Sequence, residues 1–162
     1  MRHLIERVLE LSDDEVVPQF EPQPSGQGTD EELRVLLESL QPRIRVYGVG
    51  GAGCNAVGRL DAEGLFENSF VTGYAINTDA QALLMSPLEH KVLIGRTARG
   101  RGAGGDPTKG EAAALESEMA LRGITTDTQL AIIAAGMGGG SGTGAAGHIA
   151  RLAKEQGAMT IA

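Results

Sequence analysis

The run Gly136-Met137-Gly138-Gly139-Gly140-Ser141-Gly142-Thr143-Gly144 follows the apolar stretch Leu130–Ala135 and leads directly into a helical pattern. A glycine-rich turn between strand and helix reads as a phosphate cradle. Side chains this small let successive backbone N–H groups turn toward one anion, Ser141 and Thr143 add hydroxyl donors, and the following helix adds its positive N-terminal end. A triphosphate suits that geometry. Flexible linkers are also rich in glycine and serine, but they are not usually set between an apolar strand and a helix.

From Ile44 onward the pattern alternates. Strands are expected at 44–47, 71–76, 92–94, Leu130–Ala135 and 158–162, with helices at 55–63, 106–122 and 143–156 and Pro107 starting the second of these. This βαβ arithmetic predicts an α/β fold, a three-layer, Rossmann-like parallel sheet with helices on both faces. Ligands of such sheets sit beyond the carboxyl ends of the strands, which is where the glycine clusters fall.

Two more clusters share that edge. Gly48-Val49-Gly50-Gly51-Ala52-Gly53-Cys54-Asn55 contains G-x-G-x-x-G after a strand and before a helix, a signal that suits a dinucleotide as well as a mononucleotide. No Gly-Lys-Ser or Gly-Lys-Thr is present, so it is not a Walker loop. Asn55 offers an amide to a phosphate or base edge, or caps the helix start. Gly100-Arg101-Gly102-Ala103-Gly104-Gly105-Asp106-Pro107 again precedes a helix, and its amides are placed for a terminal phosphate. Of 24 glycines, 17 fall in 48–53, 95–110 and 136–147, so the expectation is that they line one mouth. Three anion loops match a triphosphate better than the single diphosphate loop of a dinucleotide fold.

Asp79, in Asn77-Thr78-Asp79, is placed to accept from a ribose hydroxyl or to hold the water shell of a magnesium ion, or else to cap the next helix. Arg99 and Arg101 neutralise phosphate charge, face a partner or are simply solvated. His3, His90 and His148 have no metal-site spacing. Cys54, at a helix N-terminus, reads as a small packed residue rather than a nucleophile, and Met137 as a space-filler beside the loop.

Charge separates the chain into 1–42, an acidic extension, and 43–162, the α/β domain. The net charge of −7 belongs to the extension, which should repel nucleic acid, and no basic stripe with interleaved aromatics follows. Leu4, Val8 and Leu11 suggest a short amphipathic helix. A proline- and glycine-containing linker follows, then a second helix capped by Thr29 or Asp30 with Leu33, Leu36, Leu37 and Leu40 on one face. No membrane span or signal peptide is legible, and one cysteine excludes an internal disulfide, so a cytoplasmic location is expected.

Gly48-Val49-Gly50-Gly51-Ala52-Gly53-Cys54-Asn55, then Asn77-Thr78-Asp79-Ala80-Gln81-Ala82-Leu83, the Gly102 to Pro107 segment and the run opening at Ala135 resemble, in order, the nucleotide loops of the FtsZ family of prokaryotic tubulin-like GTPases. The resemblance covers 44–162, and Gly104-Gly105-Asp106-Pro107 is similar to archaeal versions. Ser141 keeps a hydroxyl where the family's motif has one, while Gly147-His148 stands where a proline is usual. It implies that Gly51, Ala52, Gly53, Cys54 and Asn55 form a phosphate loop, that Ala103, Gly104 and Gly105 face the γ-phosphate, and that Gly139, Gly140, Ser141, Gly142, Thr143 and Gly144 surround the phosphates. Asp79 would lie near Mg2+ or its waters. It further implies GTP and GDP as ligands, head-to-tail self-association into the filaments of a cytokinetic ring at the division site, division proteins that anchor them to the membrane, and hydrolysis at subunit interfaces. The resemblance ends where the family's nucleotide domain is about half complete, so the water-activating carboxylates are expected outside this chain and catalysis by it alone is not expected. The competing expectation is an NAD-binding oxidoreductase domain, fingerprinted by Gly48, Gly50, Gly53 and Asp79.

Overall fold

Residues 27–162 are described in this computed structural model, and the chain divides into two units, Met1–Leu40 and Gln41–Ala162. Within the first, α1 (Gln27–Leu40) starts ahead of Thr29 and Asp30, so neither caps it. Asp30 instead lies in the first turn, where an anion offsets the exposed N–H ends of the helix. The expected helix near Leu4 and the linker after it lie outside the described residues.

The second unit is organised by β1 (Ile44–Val49), which is hydrogen-bonded on both sides. It runs parallel to β2 (Val71–Asn77) and to β4 (Leu130–Ala135), with Ile44 opposite Val71 and Leu130. The outer strands β3 (His90–Leu93) and β5 (Met159–Ile161) complete an all-parallel sheet of order β3-β2-β1-β4-β5. Parallel strands joined by helical crossovers are covered on both faces, which explains why they read as nearly continuous apolar runs.

The pleat still sorts alternate residues into two cores. Val46, Val71 and Ala75 pack with Cys54 and Val57 of α2 (Gly50–Ala62) and Leu83 of α3 (Ala80–Met85). Tyr47, Val49, Ile76, Ala131 and Ile133 point the other way. They meet Ala113 and Ala114 of α4 (Pro107–Glu116), Leu121 of α5 (Glu118–Thr125) and Ile149, Leu152 and Ala153 of α6 (Gly140–Glu155). Burying each Ile or Leu contributes about 1.5–3 kcal/mol before entropy is subtracted. Alanine supplies much of the second core, so helices come close to strands. Helix α4 touches α6 through backbone: a Cβ on Gly110 would strike the Gly140 carbonyl, and one on Gly144 would lie 2.5 Å from Glu111 N.

Strand ends shift by a residue or two from expectation, and three helix boundaries differ in ways that bear on the site. Helix α2 begins at Gly50 rather than near Asn55, and α6 at Gly140 rather than Thr143, because packing of the glycine backbones overrides their poor helix propensity. The helix expected over 106–122 breaks at Ser117, whose hydroxyl accepts a hydrogen bond from Gly95 N at 2.9 Å. Past the break, the carbonyls ending α5 are taken up by β1: Tyr47 donates its hydroxyl to Ile124 O at 2.9 Å, and Arg45 donates to the carbonyls of Ile124 and Thr126. The carboxyl ends of β1, β2 and β4 thus face the loops that carry the candidate site.

Candidate functional site

Gly50 turns β1 into α2 with φ +71°, a conformation that glycine adopts without a Cβ penalty. Its neighbours Gly51 and Ala52 face Gly136 and the segment from Gly138 to Gly142 across a cavity of about 250 Å3, lined also by Val49. Gly51, Gly138 and Gly139 have open space where a side chain would stand. The cavity's lining includes no carboxylate and no cation; what it offers is backbone and the Ser141 hydroxyl. Thr143 Oγ1, one residue beyond Gly142 on α6, is buried with no hydrogen-bond partner among the described residues. A buried hydroxyl left unpaired is costly.

The remaining glycines divide differently. A Cβ on Gly53 would run into the Ala134 carbonyl, one on Gly142 would lie 2.8 Å from Gly136 O, and one on Gly140 would lie 2.8 Å from Asp106 N. These residues, with Gly48, Gly110 and Gly144, are glycine because backbone passes against backbone. Packing and lining are not exclusive: Gly50, Gly136, Gly140 and Gly142 line the cavity and are also clamped by neighbours, Gly51, Gly138 and Gly139 line it with open space, and Gly48, Gly53, Gly110 and Gly144 are clamped outside its lining.

In the third loop, Gly102, Gly104 and Gly105 all have positive φ, and Ala103 is buried against Gly140. Asp106 caps α4, its carboxylate accepting from Thr108 N at 2.9 Å and Thr108 Oγ1 at 2.6 Å, and these bonds hold its pKa below the ordinary carboxylate value. The loop is tied to the end of β2 by Gly102 N donating to Thr78 O and Ala80 N donating to Gly100 O, each at 3.1 Å, around an antiparallel bridge between Asp79 and Arg101.

Asp79 caps α3: its Oδ1 accepts from Gln81 N at 2.9 Å and Ala82 N at 3.1 Å. Its Oδ2 receives no hydrogen bond among the described residues. Nor, among them, do three His, Cys, Asp or Glu side chains gather to hold a metal, so a hard cation here would depend on water and phosphate oxygens for its other ligands.

Cys54 is buried behind the cradle, its thiol donating to Gly48 O at 3.3 Å, and burial pushes its pKa up, as suits a packed residue. Asn55 is exposed on α2 and caps nothing. Met137 is 67% exposed, correcting the expectation that it fills space. Arg99 and Arg101 are exposed, with no ion pair among the described residues. The residue that reasoning from motifs missed is Thr78. It is 1% exposed, and its Oγ1 lies 2.6 Å from Ser141 Oγ. Its acidic neighbour Asp79 carries the recognisable chemistry of that segment, and nothing in a linear sequence pairs positions 63 residues apart.

A parallel sheet whose glycine-rich turns converge at its carboxyl edge on an acid-free cradle of backbone and hydroxyl groups defines a nucleotide-binding α/β domain. Residues 43–162 match the Tubulin/FtsZ family, GTPase domain, and the chain belongs to that family. It is 45% identical over 163 residues to Cell division protein FtsZ 1 of Pyrococcus abyssi, covering 99% of this chain and 43% of that protein. Among solved structures it resembles an empty FtsZ dimer of M. jannaschii at 42% identity and TM-score 0.71, covering 80% of this chain and 37% of that one. A GTPγS-bound protofilament of CetZ2 from Haloferax volcanii aligns at 32% identity and TM-score 0.60, over 73% of this chain and 38% of that one. The chain thus spans less than half the length of these relatives. The nicotinamide alternative finds no support among them.

Proposed function

We propose that this chain carries the phosphate-binding part of a GTP site in a polymerising cell-division GTPase. The observation that carries the reading is the acid-free cavity between Gly51 and Ser141, walled by the glycine-rich turn at the start of α6. Gly51 and Ala52 would approach the phosphates from α2, and Gly139 to Thr143 from the N-terminus of α6, where N–H groups and helix dipole act together. Gly104 and Gly105 would present amides to a terminal phosphate. Gly53, Cys54 and Gly144 would support the cradle from behind rather than touch the ligand, and Asn55 would remain at its edge. Asp79 would engage Mg2+ through water by its free Oδ2 while keeping the α3 cap.

Hydrolysis needs a group to orient water, and the cavity lining contains no titratable side chain. A neighbouring subunit is the natural source, so turnover would occur at a head-to-tail contact. The FtsZ dimer and the CetZ2 protofilament among similar structures favour such self-association. Assembly into a ring at the division site in the cytoplasm, anchored by membrane-bound division proteins, completes the proposal. Among the described residues no helix is long and apolar enough to cross a membrane.

The test is to purify the chain gently, denature it, and identify released nucleotide by ion exchange with mass detection. Guanine nucleotide is the expected product. Release of NAD in its place would overturn the reading.

A further inference from the structure

We infer that Thr78 is a positioning residue that donates its hydroxyl proton to Ser141 and thereby aims the Ser141 O–H into the phosphate cradle. The inference rests on the nucleotide-site reading above and adds to it a residue outside the glycine loops. The two oxygens are 2.6 Å apart and both side chains are buried, Thr78 at 1% and Ser141 at 9% exposure. Ser141 lines the 250 Å3 cavity; Thr78 lines a separate cavity of about 370 Å3 between the third loop and α4, where it meets Gly95, Ala103 and Ala113. The pair therefore forms part of the wall between the two spaces.

Direction follows from the available partners. Neither hydroxyl has another hydrogen-bond partner among the described residues, and an ionised phosphate oxygen only accepts, so with a phosphate in the cradle Ser141 donates to it and the Thr78 proton goes to Ser141. Ser141, having accepted, keeps its own proton for a third atom, and the side of Ser141 that is open is the cradle. A hydroxyl that accepts one hydrogen bond donates a stronger one, so the chain from Thr78 through Ser141 to a ligand oxygen is cooperative. Thr78 is itself held on every polar atom: its N–H donates to Asn77 Oδ1 at 2.8 Å, and its carbonyl accepts from Gly102 N at 3.1 Å. Such anchoring fixes Ser141 relative to the third loop as well.

Isothermal titration of GTP in the presence of magnesium tests this on the 162-residue chain, with unfolding midpoints measured in parallel. Thr78→Val keeps the side chain's shape and removes the hydroxyl; it is expected to weaken GTP binding about tenfold, the equivalent of one hydrogen bond to a charged group. Thr78→Ser, which keeps the hydroxyl and loses a methyl, should restore the affinity. Ser141→Ala should weaken binding to a similar extent, and adding Thr78→Val to it should cost nothing more. Wild-type affinity in Thr78→Val, or additive losses in the double variant, overturns the inference while leaving the nucleotide site standing. A folded wild-type chain that binds no GTP overturns the site reading and the inference with it.

Discussion

Gly53 of α2 lies directly against the carbonyl oxygen of Ala134 on β4, so close that no side chain fits between helix and strand. This contact brings the first glycine loop beside the turn that follows β4, and so assembles the cradle from segments about eighty residues apart. Glycine here serves packing, although it belongs to a motif read as phosphate binding.

Gly53 and Gly51 should therefore respond oppositely to alanine. On helix propensity alone, either substitution favours folding by about 1 kcal/mol. Gly53→Ala forces the strand away and should destabilise by about 1–3 kcal/mol. Gly51→Ala meets nothing within 4 Å and should raise stability while its methyl narrows the mouth and weakens GTP binding. Urea unfolding and GTP titration of both variants separate the two roles; equal loss of stability would contradict them.

Asp79 has a structural role and a proposed one that different substitutions separate. Asparagine caps helices about as well as aspartate, so Asp79→Asn should leave the unfolding midpoint nearly unchanged, whereas Asp79→Ala should cost about 1 kcal/mol. Both should remove the gain in GTP affinity on adding magnesium. If Asp79→Asn retains that gain, the residue is a cap and nothing more.

His148 makes stability fall in mildly acid solution. It is buried on α6, with Nδ1 2.6 Å from Arg151 Nη2 and Nε2 3.7 Å from Glu118 Oε2. Burial and then the Arg151 charge hold its pKa below the ordinary histidine value, against the opposing pull of Glu118 and Glu155, while Arg122 adds to the lowering. Below about pH 6.5 the unfolded chain takes up a proton that the folded chain refuses, so stability is full above that pH and is lost as pH falls toward the folded pKa. Asp106 and Glu118, whose carboxyls are held low by Thr108 and Arg122, add their own losses only at lower pH, as carboxylates protonate. Urea midpoints between pH 7.5 and 5.5 should decline in the wild type and stay flat in His148→Gln.

Cys54 should be inert to iodoacetamide at neutral pH in the folded chain, since its thiol is buried and its pKa is raised. Labelling should appear only as urea unfolds the protein, with the same midpoint as circular dichroism. Fast labelling of the native chain would show that the cradle's rear wall opens.

What could be read directly was the arrangement whose physics is local. Leu130–Ala135 is apolar and bounded by turn residues, and the strand occupies those positions; the order of glycine clusters and strands likewise implied a parallel sheet with its site at the carboxyl edge. The division of each strand between two cores was not legible, because both faces of a parallel strand are buried and the apolar pattern loses its alternation. Helix starts were misplaced for a related reason: Gly53 and Gly140 are poor helix formers alone, and contacts across the fold hold them in their helices.

Sequence alone determined the class of fold and the identity of the loops, since strand and helix periodicity and runs of small residues are properties of neighbours along the chain. Tertiary structure decided which glycines are open and which are clamped, and that Thr78 rather than Asp79 reaches the glycine-rich run. Those facts are distances between segments far apart in the chain, and they exist only once the sheet has brought β1, β2 and β4 side by side.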